Sequence, residues 1–245
     1  MKKTALVLTT VAALLGTALA GAAIVVYSGV YNVAATSQHL QPVHSLLETT
    51  MRHSVRWRAR NIATPPLDDA PQLLRGAALF KDHCVQCHGA PGVAQADIGK
   101  SMQPVPGPLV DALQRWRPRE IYWITRHGIK MSGMPAWQFR LDEGALWDVV
   151  AFVNILPTLS PQAYAQATRD AGTAPQRSDT AVSRAGDVER GKLALGQYAC
   201  QACHTIPGIT SSLPNVGPPL QGLASRSLIA GKLANTPDNL VLWVR

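Results

Sequence analysis

The chain has no cysteine to spare. Its 245 residues include four, and these fall in two copies of one pattern, Cys84-x-x-Cys87-His88 and Cys200-x-x-Cys203-His204. None is left for a disulfide framework or to complete a structural zinc site. Aromatic residues are scarce at 6%, so small modules built from this chain need some other large apolar body at their centre. Charge is thin at 16%, and the net charge of +8 is spread out: six basic against two acidic residues in 1–68, nine against eight in 69–157, and five against three in 187–245. Nothing in that distribution resembles the dense basic face that nucleic-acid binding needs. Beyond His204 there is neither methionine nor histidine.

What the sequence does have is a repeated covalent attachment site. C-x-x-C-H is the signature of c-type haem attachment. Residues three apart share one face of a helical turn, so both thiols can reach the two vinyl groups of one porphyrin while the adjacent histidine meets the iron. One copy could be an accident, or a redox or zinc pair that happens to precede histidine. Two copies that use all four cysteines argue against both. The expected cofactors are two covalently bound haem c groups, held by Cys84, Cys87 and His88 and by Cys200, Cys203 and His204, with His88 and His204 as iron ligands. The separation of the two motifs predicts two small modules, each burying a porphyrin as part of its core.

Lys2 and Lys3 precede an uncharged run over residues 4–47, longer than the roughly 20 apolar residues that span a bilayer. A cleavable signal peptide ending near Ala18-Leu19-Ala20 competes with an uncleaved anchor. Ile24, Val25, Val26 and Val30 prolong the segment and Tyr27 and Tyr31 supply interfacial rings, which favours an anchor over residues 1–36. Either reading exports the remainder. The expected placement is single-pass in the inner (cytoplasmic) membrane, with the haem modules on the periplasmic side. Residues 37–68 form a connector whose Val43, Leu47, Thr50, Met51, Ser54 and Val55 make a helical stripe. Such a helix could rest on the membrane, lie against a partner's transmembrane helices, or be a solvated spacer. His39, His44 and His53 within it are read as surface residues.

The first module, residues 69–157, is predicted to hold helices over 71–82, 118–126 and 142–156. Gly76 and Phe80 lie on one face of the first. Leu146, Val149, Val150 and Val153 form the apolar face of the last, with Trp147 and Phe152 at its flanks. A proline-rich stretch over 102–108 suits a loop around the porphyrin edge. A methionine sulfur is the expected sixth ligand, since it raises the reduction potential of an electron carrier. Met134, in a Gly-Met-Pro-Ala loop, is the candidate, with Met131 and Met102 as rivals and His127 as an alternative. Residues 158–186 read as a flexible linker. In the second module, 187–245, Arg190-Gly191 echoes Arg75-Gly76, and Pro218-Pro219-Leu220 echoes the first proline loop. Residues 236–244 open a helix with proline at its first position. For the second iron three readings stand: truncation before a methionine loop, a five-coordinate site open to small ligands, or closure by an upstream residue.

A helix bearing Gly76 and Phe80, then C-x-x-C-H, a proline loop, Gly-Met-Pro and a terminal helix together resemble the class I cytochrome c fold. The resemblance covers 69–157 in full and only the first half of the fold in 187–245. It implies an all-α protein: an N-terminal transmembrane helix followed by two class I cytochrome c domains, the second apparently truncated. It further implies that Gly76 and Phe80 cross the terminal helix near Leu146 and Val150, and that His88 and His204 donate to the carbonyls of Pro108 and Pro218. The whole is similar to membrane-anchored di-haem cytochromes c that accompany respiratory oxidases or membrane-linked dehydrogenases. The expected role is therefore electron transfer rather than catalysis, passing single electrons between respiratory-chain components toward a terminal oxidase. An electron-accepting subunit of a dehydrogenase is the alternative, and a peroxidase or ligand-binding haem in the second module a third. Expected partners are the membrane and oxidase or dehydrogenase subunits, with no nucleic acid and no small-molecule substrate. Fold alone does not choose among these roles.

Overall fold

An unbroken apolar run makes the first helix, α1, Lys2–Ser28, and Gly29 in a left-handed conformation ends it. In the computed structural model, which describes residues 2–173, 186–211, 214 and 216–244, none of α1 is buried. Its 27 residues give a rod about 40 Å long, and among the described residues it is the one helix long and apolar enough to cross a membrane.

The chain divides into two units, 1–137 with 143–175 and 138–142 with 176–245. In the first unit α1 is followed by α2 (Gln41–Ala59), α3 (Ala70–His83), the single turns α4 (Val85–His88), α5 (Asp97–Lys100) and α6 (Ala112–Arg115), then α7 (Pro118–His127), α8 (Glu143–Ile155) and α9 (Pro161–Asp170). The three predicted helices of the first module appear as α3, α7 and α8, each within a residue at either end. At the start of α3 the Asp69 carboxylate accepts the Gln72 backbone N–H at 3.0 Å, with Pro71 in the first turn, where its missing amide costs nothing.

The centre of the first unit is the crossing of α3 over α8. A Cβ at Gly76 would stand 2.1 Å from the Asp148 carbonyl oxygen and 2.9 Å from the Phe152 Cβ, so only glycine lets the two backbones meet. The contact falls on Asp148 and Phe152 rather than on Leu146 and Val150. Phe152 and Trp147 are also core residues, not flanking ones: α8 is buried continuously from Leu146 to Val153 because neighbours cover it on several sides. On one side Tyr122 of α7 stacks on Trp147 with ring centroids 4.1 Å apart. On another, Phe80 and Phe152 meet at 5.5 Å, and Tyr164 of α9 closes on them at 6.3 and 6.2 Å.

Tyr164 overturns the start of the expected linker. Ser160 accepts the Ala163 backbone N–H at 3.1 Å and Pro161 opens a 10-residue helix that pins its tyrosine, 4% exposed, against the α3–α8 crossing. Three of the chain's few aromatic rings are thus gathered in one cluster. Residues 174–185 of the expected linker lie outside the described residues. The connector helix α2 is likewise not a free spacer along its whole length, since its C-terminal half packs along α7 and buries Val55 and Ala59.

An ion pair ties the same crossing. Arg75 donates from Nε and Nη2 to the two carboxylate oxygens of Asp148 at 2.8 and 3.1 Å. The hydrogen bond to Asp148, then its charge, raise the Arg75 pKa above its already high value. Arg75 is half exposed while Asp148 is nearly covered, so the carboxylate is the member that suffers if the pair is broken. Asp148→Asn is expected to cost about 2 kcal/mol, read as a shift in the denaturant midpoint of the haem-loaded protein. No measurable shift would show that solvent already screens the pair.

The second unit holds α10 (Val188–Gln197), a short antiparallel hairpin of β1 (Leu228–Ile229) and β2 (Leu233–Ala234) with Leu228 opposite Ala234, and α11 (Pro237–Val244). Among the described residues its buried apolar ones are Phe139, Ile206 and Ile229. The Arg190-Gly191 echo of Arg75-Gly76 does not extend to packing: α10 buries no residue, and a Cβ on Gly191 would meet open space.

Candidate haem-attachment sites

Both C-x-x-C-H motifs make the same turn. The backbone N–H groups of Cys87 and His88 donate to the Cys84 carbonyl at 3.2 and 3.0 Å, and those of Cys203 and His204 to the Cys200 carbonyl at 3.3 and 3.0 Å. Such a turn brings the cysteines of each pair, three residues apart, to one side. The first is braced by α5, where Gly99 sits so close to Cys87 that a Cβ would lie 2.9 Å from its backbone.

The histidine rings are oriented alike. His88 donates from Nδ1 to the Gly107 carbonyl at 2.8 Å, and His204 donates from Nδ1 to the Pro218 carbonyl at 2.8 Å. A carbonyl only accepts, so each ring carries its proton on Nδ1 and presents the Nε2 lone pair. The Pro218 acceptor is the expected one. In the first motif the acceptor is Gly107 and not Pro108, and the reason lies one residue earlier. The Gln95 side-chain amide donates to both the Cys87 carbonyl at 2.7 Å and the Pro106 carbonyl at 2.6 Å. That clamp pins the loop at Pro106, so the next carbonyl, Gly107, faces the ring. In the second motif the Gly217 backbone N–H bonds the Cys203 carbonyl at 2.7 Å, and again the next carbonyl faces the histidine. Gly217 also lies flat against His204, where a Cβ would come within 2.5 Å of Cε1.

Burial holds the His88 imidazole below its usual range, with the Gly107 bond opposing, so the ring is neutral, the form that binds iron. Burial, then the neighbouring Cys87, push the Cys84 thiol up to about 12. A cavity of about 530 Å³ opens beside His88, lined by Val93, Gln95, Val105, Pro106 and Gly107 among others. The fixed tautomer, the paired cysteines on one side of each turn and this apolar loop-lined space fit a covalently attached haem. Such a group, when bound, supplies one-electron iron chemistry.

Met134 is half-buried in a loop fixed by its own backbone. Its N–H donates to the Ser132 hydroxyl at 3.2 Å, and its carbonyl accepts the Ile129 N–H at 3.2 Å. Gly128, at φ +66°, packs against that carbonyl so tightly that no side chain would fit. Met131 is 97% exposed, whereas Met134 is half-buried. The Met102 sulfur lies against Gly133, on the same loop as Met134. His127 is solvent-facing beside Trp123, and partial burial followed by the charges of Arg126 and Arg58 hold it below the usual imidazole range. His39 bonds the Tyr31 hydroxyl, as a surface residue would. Gln95 and Gly99 escaped the sequence reading, and Gly217 entered it only as part of Gly217-Pro218-Pro219-Leu220, where the second module's likeness to the fold ends, not as the residue packed on His204. Gln95 had no signal.

Residues 71–153 match the family model of Cytochrome C oxidase, cbb3-type, subunit III. A dihydro-heme d1 dehydrogenase from Pseudomonas aeruginosa is 29% identical over 109 residues, covering 44% of this chain and 20% of that protein, so the chain spans only about a fifth of that relative's length. No solved structure matches the chain. The family match begins in the first turn of α3 and ends inside α8, enclosing the Gly76 crossing, the first attachment turn and the loop of Met134, and it establishes that this chain carries a cytochrome c domain.

Proposed function

We propose that the chain is a membrane-tethered di-haem c-type cytochrome that passes single electrons between respiratory-chain components on the periplasmic side, toward a terminal oxidase. Cys84, Cys87 and His88 hold one haem and Cys200, Cys203 and His204 the other. Met134 completes the first iron, and α1 is the anchor. One observation carries the reading: two C-x-x-C-H motifs with the same turn and the same 2.8 Å bond from histidine Nδ1 to a loop carbonyl. That bond fixes the ring and raises the basicity of Nε2. The family match supports an oxidase as the acceptor. The second reading, a cytochrome subunit that accepts electrons from a dehydrogenase, is favoured by the similarity to dihydro-heme d1 dehydrogenase.

A pyridine haemochrome assay on purified protein is expected to return two haems per polypeptide, with no titratable thiol. One haem with two free thiols would reduce the proposal to the first module. Co-purification with oxidase subunits separates the first reading from the second, which expects reduction by a dehydrogenase partner instead. Gly217→Ala tests the second site alone. The added methyl must push the His204 ring aside and break its bond to Pro218, so the second haem is expected to change its spectrum or fail to load, while the first is unchanged. An unaltered spectrum for both haems would mean that His204 is not an iron ligand.

A further inference from the structure

Four arginines that look scattered in the sequence meet at one cavity. Arg56 of α2, Arg115 at the end of α6, and Arg117 and Arg119 around the start of α7 line a space of about 690 Å³ together with Trp116 and Glu120. The carboxylate there is already committed: Glu120 is 5% exposed and accepts the Arg117 backbone N–H at 2.9 Å. Among the described residues none of the four arginines is in an ion pair. The Arg119 Nε is buried with no hydrogen-bond partner, which leaves a costly unpaired donor beside this space. The amino-terminal end of α7 adds its partial positive charge to the same space. Four arginines lining one cavity offer the donors that the oxygens of a phosphate group accept.

The tether indicates where that phosphate comes from. Residues 29–40 join α1 to α2 and can reach at most about 40 Å, so a spanning α1 keeps α2 close to the lipid headgroups. Next to Arg56, Trp57 is 60% exposed with the Arg60 guanidinium 4.0 Å from its ring centroid. An amphipathic ring among cations is typical of a membrane interface. We propose that the α2–α7 cavity binds the phosphate of an anionic phospholipid headgroup and holds the first haem domain against the membrane surface. The site rests on the residues above, and its lipid source rests on reading α1 as an anchor.

The test uses the full-length haem-loaded protein in a neutral detergent, with lipid binding followed by native mass spectrometry. Phosphatidylglycerol is expected to bind roughly tenfold more tightly than phosphatidylcholine at about 0.15 M salt, and equimolar inorganic phosphate should not displace it. Each arginine neutralised is expected to weaken binding roughly fivefold, in Arg117→Gln/Arg119→Gln and in Arg56→Gln/Arg115→Gln. The second pair is exposed and leaves the fold intact should the first not. Equal binding of the two lipids, unchanged affinity in the surface pair, or displacement by inorganic phosphate would overturn the proposal. Alkaline carbonate washing of native membranes checks the anchor independently. Release into the wash with lipid preference intact overturns the tether and its membrane role but not the phosphate site. Retention without lipid preference overturns the site but not the tether.

Discussion

Phe80→Ala is expected to destabilise the protein by about 4 kcal/mol. Phe80 is 0% exposed and belongs to a ring cluster shared by three helices, touching Phe152 of α8 and Tyr164 of α9. The backbones around it cannot close the gap, because Gly76 already holds α3 and α8 at contact distance. The cavity therefore stays open, which places the loss toward the upper part of the range for such truncations. A native domain is stable by only about 5–15 kcal/mol, so the variant is expected to survive with its haem attached but unfold at much lower denaturant. Phe80→Leu, which keeps most of the volume, should lose less than half as much. A shift of less than about 1.5 kcal/mol for alanine would mean that α9 follows the cavity inward and that the aromatic cluster is not rigid.

Met134→Ala is expected to lower the reduction potential of the first haem by on the order of 0.1 V, within the roughly 0.8 V that axial ligands span. It should also abolish that haem's ferric near-infrared methionine-to-iron band and let carbon monoxide bind. The loop is built to hold one residue in place: the Ser132 hydroxyl, the Ile129 N–H and the close approach of Gly128 fix the Met134 backbone on both sides. Alanine keeps all three, so the loop stays folded and the effect belongs to the lost sulfur. Met131→Ala is the control and should change nothing, since that side chain is 97% exposed. Loss of the band in Met102→Ala and not in Met134→Ala would reassign the ligand to the methionine that packs on Gly133.

The elements of the first module were legible because their signals are local. Asp69 and Pro71 mark the start of α3, Pro118 the start of α7, and the apolar period of α8 is plain in the sequence. The attachment motifs were legible for the same reason, since the chemistry requires two thiols and an imidazole at fixed spacing. What escaped depends on contacts between distant residues. Residues 158–173 have a composition that reads as linker, yet Tyr164 finds Phe80 and Phe152, and that contact outweighs a weak local preference. Phe152 and Trp147 look like flanking positions on a one-sided helix until α7 and α9 cover the other sides. The acceptor for His88 moved by one residue because the Gln95 clamp sets the register of the loop, and no pattern of residue types marks a clamp.

The chain by itself determined where the two C-x-x-C-H turns lie and which histidine belongs to each, because both follow from bonds spanning four residues or fewer. It also determined that α1 is apolar enough to cross a bilayer, which is a matter of length and composition. Only the tertiary structure decided which glycine must stay bare, Gly76 and not Gly191, and which carbonyl orients the His88 ring. Only it could gather Arg56 with Arg115, Arg117 and Arg119 around one cavity. Those outcomes depend on how closely separate segments approach, and that distance is fixed by packing across the whole unit.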